Sequence, residues 1–94
     1  MTTKFYQRDK THLYCIRAGK YCKIGITNNI NGRLSMINTC NPSKVELVGL
    51  ATYDNRWIAR KSEKAIHKFL KDKRVKGEWF LLSNEDIYIS FGEY

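Results

Sequence analysis

Glu63 and His67 are two ionisable residues that lie four positions apart in a segment with helical periodicity. Residues at i and i+4 project from the same side of a helix, so the two side chains would lie next to each other. A carboxylate can hold a hard divalent cation, and a neighbouring imidazole can hydrogen-bond that carboxylate or contact an anion. Judged by position alone, Glu63 is more often an ordinary surface carboxylate than a metal ligand. For His67, a functional role and the role of a partly buried helix histidine are equally open.

Positively charged residues surround this pair. The chain has 17 lysines and arginines against 9 acidic residues, for a formal net charge of +8, and a small domain with that excess attracts polyanions. Ribosomal and membrane-surface proteins are also basic, so the charge makes nucleic acid the leading partner among several. Trp57 begins the basic segment and can stack on a base, although packing in or around the core is the commoner role of such a residue.

Two strand-forming runs precede the first helix and predict a β-hairpin. Thr11 to Arg17 and Tyr21 to Thr27 are rich in β-branched and aromatic residues, and a short link containing glycine joins them. With Ala18-Gly19 as the two-residue turn, a definite register follows, and a slip by one residue would reverse the faces of the side chains. That register pairs Tyr14 with Lys23 and Cys15 with Cys22.

A first helix is predicted directly after the hairpin. Asn28 or Asn29 supplies its N-cap, and Asn41-Pro42 ends it. Apolar residues lie at i, i+4 and i+7 on one face, which is typical of a helix packed on a core. Arg33 lies beside this stripe. The apolar residues are Ile30, Leu34 and Ile37.

The second half of the chain predicts one more strand and two more helices. Val45 to Tyr53 alternates as a third strand. Asp54-Asn55 is the capping signal of the longest helix, at about residues 55 to 72, whose apolar positions share one face. Residues 78–82 form a short strand or extended segment, and Ser83 to Asp86 caps a short last helix.

Composition excludes several classes of protein. A chain of 94 residues fits one domain, and it contains no apolar run of the roughly 20 residues that span a bilayer. Residues 1–10 are polar, predict a short arm or edge segment, and lack the apolar stretch of a secretory signal. Cys15, Cys22 and Cys40 match neither a disulfide framework nor the usual spacing of a zinc site. We therefore expect a soluble, cytoplasmic protein with reduced thiols.

An ordered set of motifs resembles the GIY-YIG nuclease superfamily. His12-Leu13-Tyr14 is similar to the first triplet of that family, and Lys23-Ile24-Gly25, about ten residues later, is similar to the second. Arg33 stands on the following helix and Glu63 on a later one, as the family requires. The residues 38–42 and 77–80 resemble the phage-type branch. Each triplet is a weak signal, whereas the ordered set, over about residues 11 to 83, is specific.

The resemblance implies an α/β (α+β) domain over residues 1–94, with its core at about residues 11–83. A three-stranded, mainly antiparallel sheet would be flanked by helices. The implied activity is metal-dependent endonucleolytic cleavage of DNA with Mg²⁺ or Mn²⁺, and the implied origin is a phage or mobile element, which places the protein in the host-cell cytoplasm. Because the sequence lacks an appended DNA-reading module, the domain would cut with little sequence preference, form a homodimer or use a partner.

The resemblance also implies roles for individual residues. Glu63 would hold the metal, with His67 as a supporting group, and Arg33 would make a forked contact with phosphate oxygens. Tyr14 would position or deprotonate the attacking water, and a nearby cation would lower its pKa from about 10. Lys23 stands where the family more often has tyrosine, and it would be that cation, a phosphate donor or a base. Expected nucleic-acid contacts are Thr27, Asn28, Trp57, Arg60, Lys61 and Lys64.

Two alternative hypotheses belong to other functional classes. A catalytically degenerate nucleic-acid-binding module of the same fold is favoured by Lys23 and by a late asparagine of the family that has no clear counterpart. Glu78 and Asn84 are the candidates for that region. The third hypothesis is a small interaction protein whose basic face binds acidic protein partners.

Overall fold

A computed structural model describes residues 10–92, which are organised around one antiparallel sheet of five strands. The strands are β1 (Thr11–Ala18), β2 (Tyr21–Thr27), β3 (Val45–Tyr53), β4 (Arg74–Lys76) and β5 (Trp79–Phe80). Their order across the sheet is β3-β1-β2-β5-β4, so the predicted three-stranded sheet is confirmed as its larger part. Two short outer strands extend it, and they are only three and two residues long. β5 lies within residues 78–82, for which a short strand or extended segment is predicted, whereas β4 is not predicted because three residues are too few to produce the alternation that identifies a strand.

Three α-helices begin at the predicted caps. Asn29 accepts a hydrogen bond from Gly32 N at 3.0 Å at the start of α1 (Ile30–Thr39). Asn55 accepts one from Ile58 N at 2.9 Å at the start of α2 (Arg56–Phe69). Ser83 and Asp86 form a capping box at α3 (Asn84–Phe91). α2 ends earlier than predicted, because a 3₁₀ turn (Lys71–Lys73) follows it.

The part of the chain from Lys10 to Gly92 has no helix with the length and apolar character to cross a bilayer. The polar arm predicted for residues 1–10 lies, except for Lys10, outside the described residues.

The register of the β1–β2 hairpin differs from the prediction by two residues. Gly19, with φ of +65°, and Lys20 form the turn, because a two-residue hairpin turn commonly needs glycine in a left-handed conformation. Tyr14 is therefore opposite Gly25, and Lys23 is opposite Ile16. The predicted pairing of Tyr14 with Lys23 is wrong. Both side chains nevertheless lie on the same face of the sheet, as predicted, because side chains alternate with a period of two.

The same shift separates the two buried cysteines. Cys15 is opposite Ile24, and Cys22 is opposite Arg17, so the predicted direct pairing of the thiols is wrong. Both residues are free thiols without exposed surface, and they lie on one face of the sheet as diagonal neighbours. A hydrogen bond between the thiols and burial raise the pKa of Cys15, while the same hydrogen bond lowers the pKa of Cys22.

Helices cover both faces of the sheet. Alternate side chains of β1 point to opposite faces: Tyr14 and Ile16 pack with α1, whereas Leu13 and Cys15 pack with α2 and α3. α1 carries Arg33, and α2 carries Glu63. These two candidate residues therefore start from opposite sides of the sheet.

Candidate functional site

An incomplete edge of the sheet lets groups from both faces meet. In the described ladder, β5 pairs with β2 only at Cys22 and Lys23, and Glu78 O then accepts a hydrogen bond from Ile24 N at 3.0 Å. Beyond this point β2 continues to Thr27 with β1 alone as its partner in the described ladders. α2 is fastened to this edge, because His67 Nε2 lies 3.1 Å from Ile24 O.

Gly25 lies at the centre of this edge. A Cβ atom at Gly25 would lie 2.6 Å from the Tyr14 hydroxyl and 2.9 Å from Glu78 Oε1. Cβ atoms in proteins essentially never lie so close to another heavy atom, so the two polar groups occupy the space that a side chain at Gly25 would fill. The second glycine of the motif thus permits the close approach that a strand glycine commonly provides.

Tyr14 and Arg33 form the part of the site that faces α1. Arg33 Nη1 donates to the Tyr14 hydroxyl at 3.5 Å, and Tyr14 has no exposed surface. Burial raises the pKa of Tyr14; the carboxylates of Glu78 and Glu63 add to this effect, and Arg33 opposes it. The expectation that Lys23 lowers the pKa of Tyr14 is wrong, because the hairpin register places Lys23 opposite Ile16.

Lys23 makes two contacts at the base of the site. Its Nζ lies 3.4 Å from Glu78 Oε1 and 5.4 Å from the centre of the Trp79 ring. The side chain of Lys23 is mostly buried, whereas that of Glu78 is partly exposed. The ammonium is therefore held between a carboxylate and an aromatic face.

Glu63 brings a buried carboxyl group from α2. The residue is 7% exposed, and its pKa is raised by burial and then by the charge of Glu78, against which His67 and Arg60 act. His67 Nε2 lies 4.0 Å from Glu63 Oε2 but closer to the carbonyl of Ile24. A carbonyl only accepts, so His67 carries its proton on Nε2 and acts mainly as an anchor.

Five residues predicted from the sequence and one further carboxylate form this cluster, which we call the edge site. The sequence indicates Glu78 only as a counterpart of the late asparagine, because nothing local to Gly77-Glu78 shows that the side chain turns back over Gly25. Asn84, the other candidate, instead accepts a hydrogen bond from Arg17 at 3.1 Å. The members of the edge site are Tyr14, Lys23, Arg33, Glu63, His67 and Glu78.

Comparison with protein families matches residues 7–90 to the T5orf172 domain. The chain belongs to the T5orf172 domain family. This family is related to nuclease-type domains, which associates the chain with nucleic acid. No curated protein and no solved structure matches the chain.

The T5orf172 domain has two carboxylates at the edge site that could hold a cation. From Lys10 to Gly92, no group of three or more His, Cys, Asp and Glu side chains is arranged to ligate a metal. Mg²⁺ commonly uses one or two carboxylates and keeps several waters, so Glu63 and Glu78 fit a cation of that kind. The negative charge of Glu78 raises the pKa of Glu63, because the two carboxylates repel each other. A divalent cation bound between them would relieve this repulsion.

The T5orf172 domain exposes cations along α2. Arg60, Lys61 and Lys64, which are predicted to contact nucleic acid, are exposed. Trp57 is 71% exposed, and Lys61 Nζ lies 5.3 Å from its ring centre. The commoner core or rim role of a tryptophan therefore applies to the half-buried Trp79 and not to Trp57.

Thr27 is the last residue of β2, and Asn28 leads from it towards α1. Thr27 is buried, and its hydroxyl accepts from Asn29 N at 3.1 Å. Asn28 is exposed and donates from Nδ2 to Lys10 O at 2.7 Å and to Thr11 Oγ1 at 3.1 Å. These contacts position the start of α1, and hence Arg33, relative to the edge site.

Proposed function

We propose that this T5orf172 domain is a metal-dependent endonuclease that hydrolyses phosphodiester bonds of DNA through a GIY-YIG-type site. The observation that supports this proposal is the edge site itself. Two cations, two carboxylates, a phenol and an imidazole from β1, β2, α1, α2 and the β4–β5 turn form one linked cluster, in which the phenol and one carboxylate lie against Gly25. Phosphodiester hydrolysis needs this combination: charge neutralisation on the phosphate, a positioned water and help for the leaving oxygen.

Arg33 and Lys23 are the residues that bind the scissile phosphate in this proposal. The guanidinium of Arg33 offers a fork of donors to two phosphate oxygens, and Lys23 adds a point charge. Both groups now contact neutral or anionic side chains, Tyr14 and Glu78. An entering phosphate would exchange with these contacts, so the cations remain paired throughout.

Tyr14 acts as a hydrogen-bond donor in this mechanism and not as a base. Because its pKa is raised, the phenol keeps its proton at neutral pH and can donate to the attacking water or to a phosphate oxygen. Arg33 already donates to the phenol oxygen of Tyr14, so the hydroxyl proton of Tyr14 points away from Arg33. His67 positions Glu63 by fixing α2 to β2 through the carbonyl of Ile24.

Glu63 and Glu78 are the proposed ligands of Mg²⁺ or Mn²⁺. When bound, such a cation supplies Lewis-acid polarisation of a phosphoryl oxygen and lowers the pKa of a coordinated water. The exposed cations of α2, which include Arg60, Lys61 and Lys64, would contact phosphates on either side of the site. Binding carried by such contacts falls steeply with salt.

Supercoiled plasmid incubated with Mg²⁺ tests the proposal. We expect nicking by the unchanged protein and a loss of roughly 100-fold or more in Glu63→Gln, since a single electrostatic group of this kind is commonly worth that much. Glu85→Gln, a carboxyl of α3 that is exposed, is the matched control and should nick normally. Cleavage by Glu63→Gln at the unchanged rate would contradict the proposal.

The second candidate is a nucleic-acid-binding module without catalysis. It is favoured by the full burial of Tyr14 and by the ion pair of Lys23 with Glu78, which occupies a group that the nuclease needs. In that case the unchanged protein and Glu63→Gln would bind DNA equally, and neither would nick it.

A further inference from the structure

Two adjoining grooves lead away from the edge site along Trp79. The first has a volume of about 230 Å³ and begins at Lys23 and Arg33. The second has a volume of about 270 Å³ and ends at Val75 and Lys76 on β4. Trp79 and Asn41 line both, so the grooves form one path from the proposed phosphate-binding residues to the outer strand of the sheet.

The walls of the path combine apolar surface with positive charge. Met36 and Ile37 of α1 line the first groove, and Tyr21 and Val75 line the second. The charged residues among those that line the path are cations: Lys23, Arg33 and Lys76. Aromatic and aliphatic walls between cations are complementary to a chain of bases joined by phosphates.

The polar and aromatic groups of the path are held in place by the fold. Trp79 packs against the cluster on the α1 face of the sheet and pairs with Lys23 in the ladder. Asn41 donates from Nδ2 to Ile37 O at 2.7 Å, which fixes an amide with donor and acceptor capacity at the junction of the grooves. A ring and an amide that are already ordered lose little entropy when they bind a base.

We infer that this path receives unpaired nucleotides next to the scissile phosphate, so that the substrate is single-stranded or branched nucleic acid. Each groove is smaller than the ~300 Å³ at which pockets for drug-sized ligands begin, a size that suits one base. Bases within a continuous duplex are stacked on both faces and cannot lie on Trp79. The inference rests on the proposed function, because Lys23 and Arg33 serve both.

Tryptophan fluorescence tests the path without requiring cleavage. The chain has two tryptophans, so in Trp57→Phe the emission comes from Trp79 alone. With EDTA present, we expect a short single-stranded oligonucleotide to quench this emission at saturation, and the duplex of the same sequence to leave it unchanged. DNA and RNA oligonucleotides are compared to identify the preferred strand. Equal quenching by the duplex, or no quenching although anisotropy detects binding, would overturn the inference.

Two variants test the same path by affinity. Lys76→Glu and Asn41→Ala should weaken single-strand binding roughly tenfold while duplex binding changes much less, because stacking and contacts to one base are worth about that factor. Lys71→Glu is the matched control: it makes the same charge change outside the path and should reduce both affinities by the same factor. An unchanged ratio of the two affinities in Lys76→Glu and Asn41→Ala would overturn the inference.

All of these measurements are made with EDTA, so their outcome is independent of nicking. If the protein never nicks but keeps the single-strand preference, the proposed endonuclease fails and the path stands. If the protein nicks duplex and single-stranded DNA alike, and neither changes the emission of Trp79, the inferred nucleotide path is contradicted and the proposed endonuclease activity is supported.

Discussion

Single residues at the edge site determine one another's protonation. Burial and the charge of Glu78 both favour the neutral form of Glu63, and the same carboxylates raise the pKa of Tyr14. A neighbouring negative charge and the loss of water both make the ionised form of a buried carboxyl group such as Glu63 less favourable. The site is therefore built with an electrostatic cost that a bound cation would remove.

Replacing Glu63 by glutamine should stabilise the fold at neutral pH. The folded-state pKa of Glu63 is raised above its ordinary value of 4.5, so ionised Glu63 costs folding free energy above that pH. The free energy of unfolding of Glu63→Gln relative to the unchanged protein should increase as pH rises from about 4.5 through the raised pKa, then level off. Urea titrations at acidic and neutral pH measure it. A variant that is less stable than the unchanged protein at neutral pH would contradict this expectation.

Substituting Gly25 by alanine should damage both the fold and the edge site. The new Cβ would meet the hydroxyl and ring of Tyr14, which is fully buried and cannot move aside, and overpacking of this kind costs about 1–3 kcal/mol. Gly49→Ala is the matched control, because its Cβ would meet the Phe91 ring at 2.8 Å on the other face. Both variants should lose stability in urea, whereas only Gly25→Ala should lose Mn²⁺ affinity in calorimetry. Equal Mn²⁺ affinities would show that Gly25 is not part of the site.

At the scale of elements, the short β5 strand is what creates the site. Because β5 pairs with β2 for only two residues, the edge beyond it is left open to α2, and the charge of Glu63 acts on Tyr14, which packs on the α1 face of the sheet. A longer β5 would close the ladder and separate the two groups. The position and stability of α2 are therefore as important to the site as its side chains.

Removing the N-cap of α2 should lower stability without changing any group of the edge site. Asn55 accepts a hydrogen bond from Ile58 N at 2.9 Å, and replacing such a cap by alanine costs about 1 kcal/mol. Asn55→Ser keeps an acceptor and should retain most of that stability. Thermal or urea unfolding compares the two variants, and equal stability of Asn55→Ala and Asn55→Ser would show that the cap is not a determinant of α2.

At the scale of the whole molecule, a net charge of +8 on 94 residues is not spread evenly. α2 carries lysines and arginines on its exposed side, close to Glu63, while α3 begins with Glu85 and Asp86. Among these α2 cations, Arg60 lies close enough to Glu63 to lower the pKa of its carboxyl group, so the basic surface reaches the edge site. In the proposed function, this charge distribution would orient a nucleic acid before any specific contact forms.

The salt dependence of nucleic-acid binding should report the α2 cations. We expect log K to fall linearly with log salt, and Lys61→Ala or Lys64→Ala to reduce the slope by about 0.7–0.9 for each phosphate that the variant no longer neutralises. Lys73→Ala is the control and should leave the slope unchanged, because the Lys73 ammonium already pairs with Asp86 at 2.9 Å. Anisotropy titrations over a series of NaCl concentrations measure the slopes. If the α2 variants kept the full slope, α2 would not be the phosphate-binding surface.

The sequence by itself determined the local elements of this protein. Strands β1 to β3 and the starts of all three helices follow from alternation and from Asn29, Asn55 and Ser83, whose effects act within a few residues. Only the tertiary structure decided the hairpin register, the open edge beside Gly25, the position of the Glu78 side chain and the direction in which the pKa of Tyr14 is shifted. Each of these depends on which distant segments pair and on what they bury, and that information is not contained in local propensity.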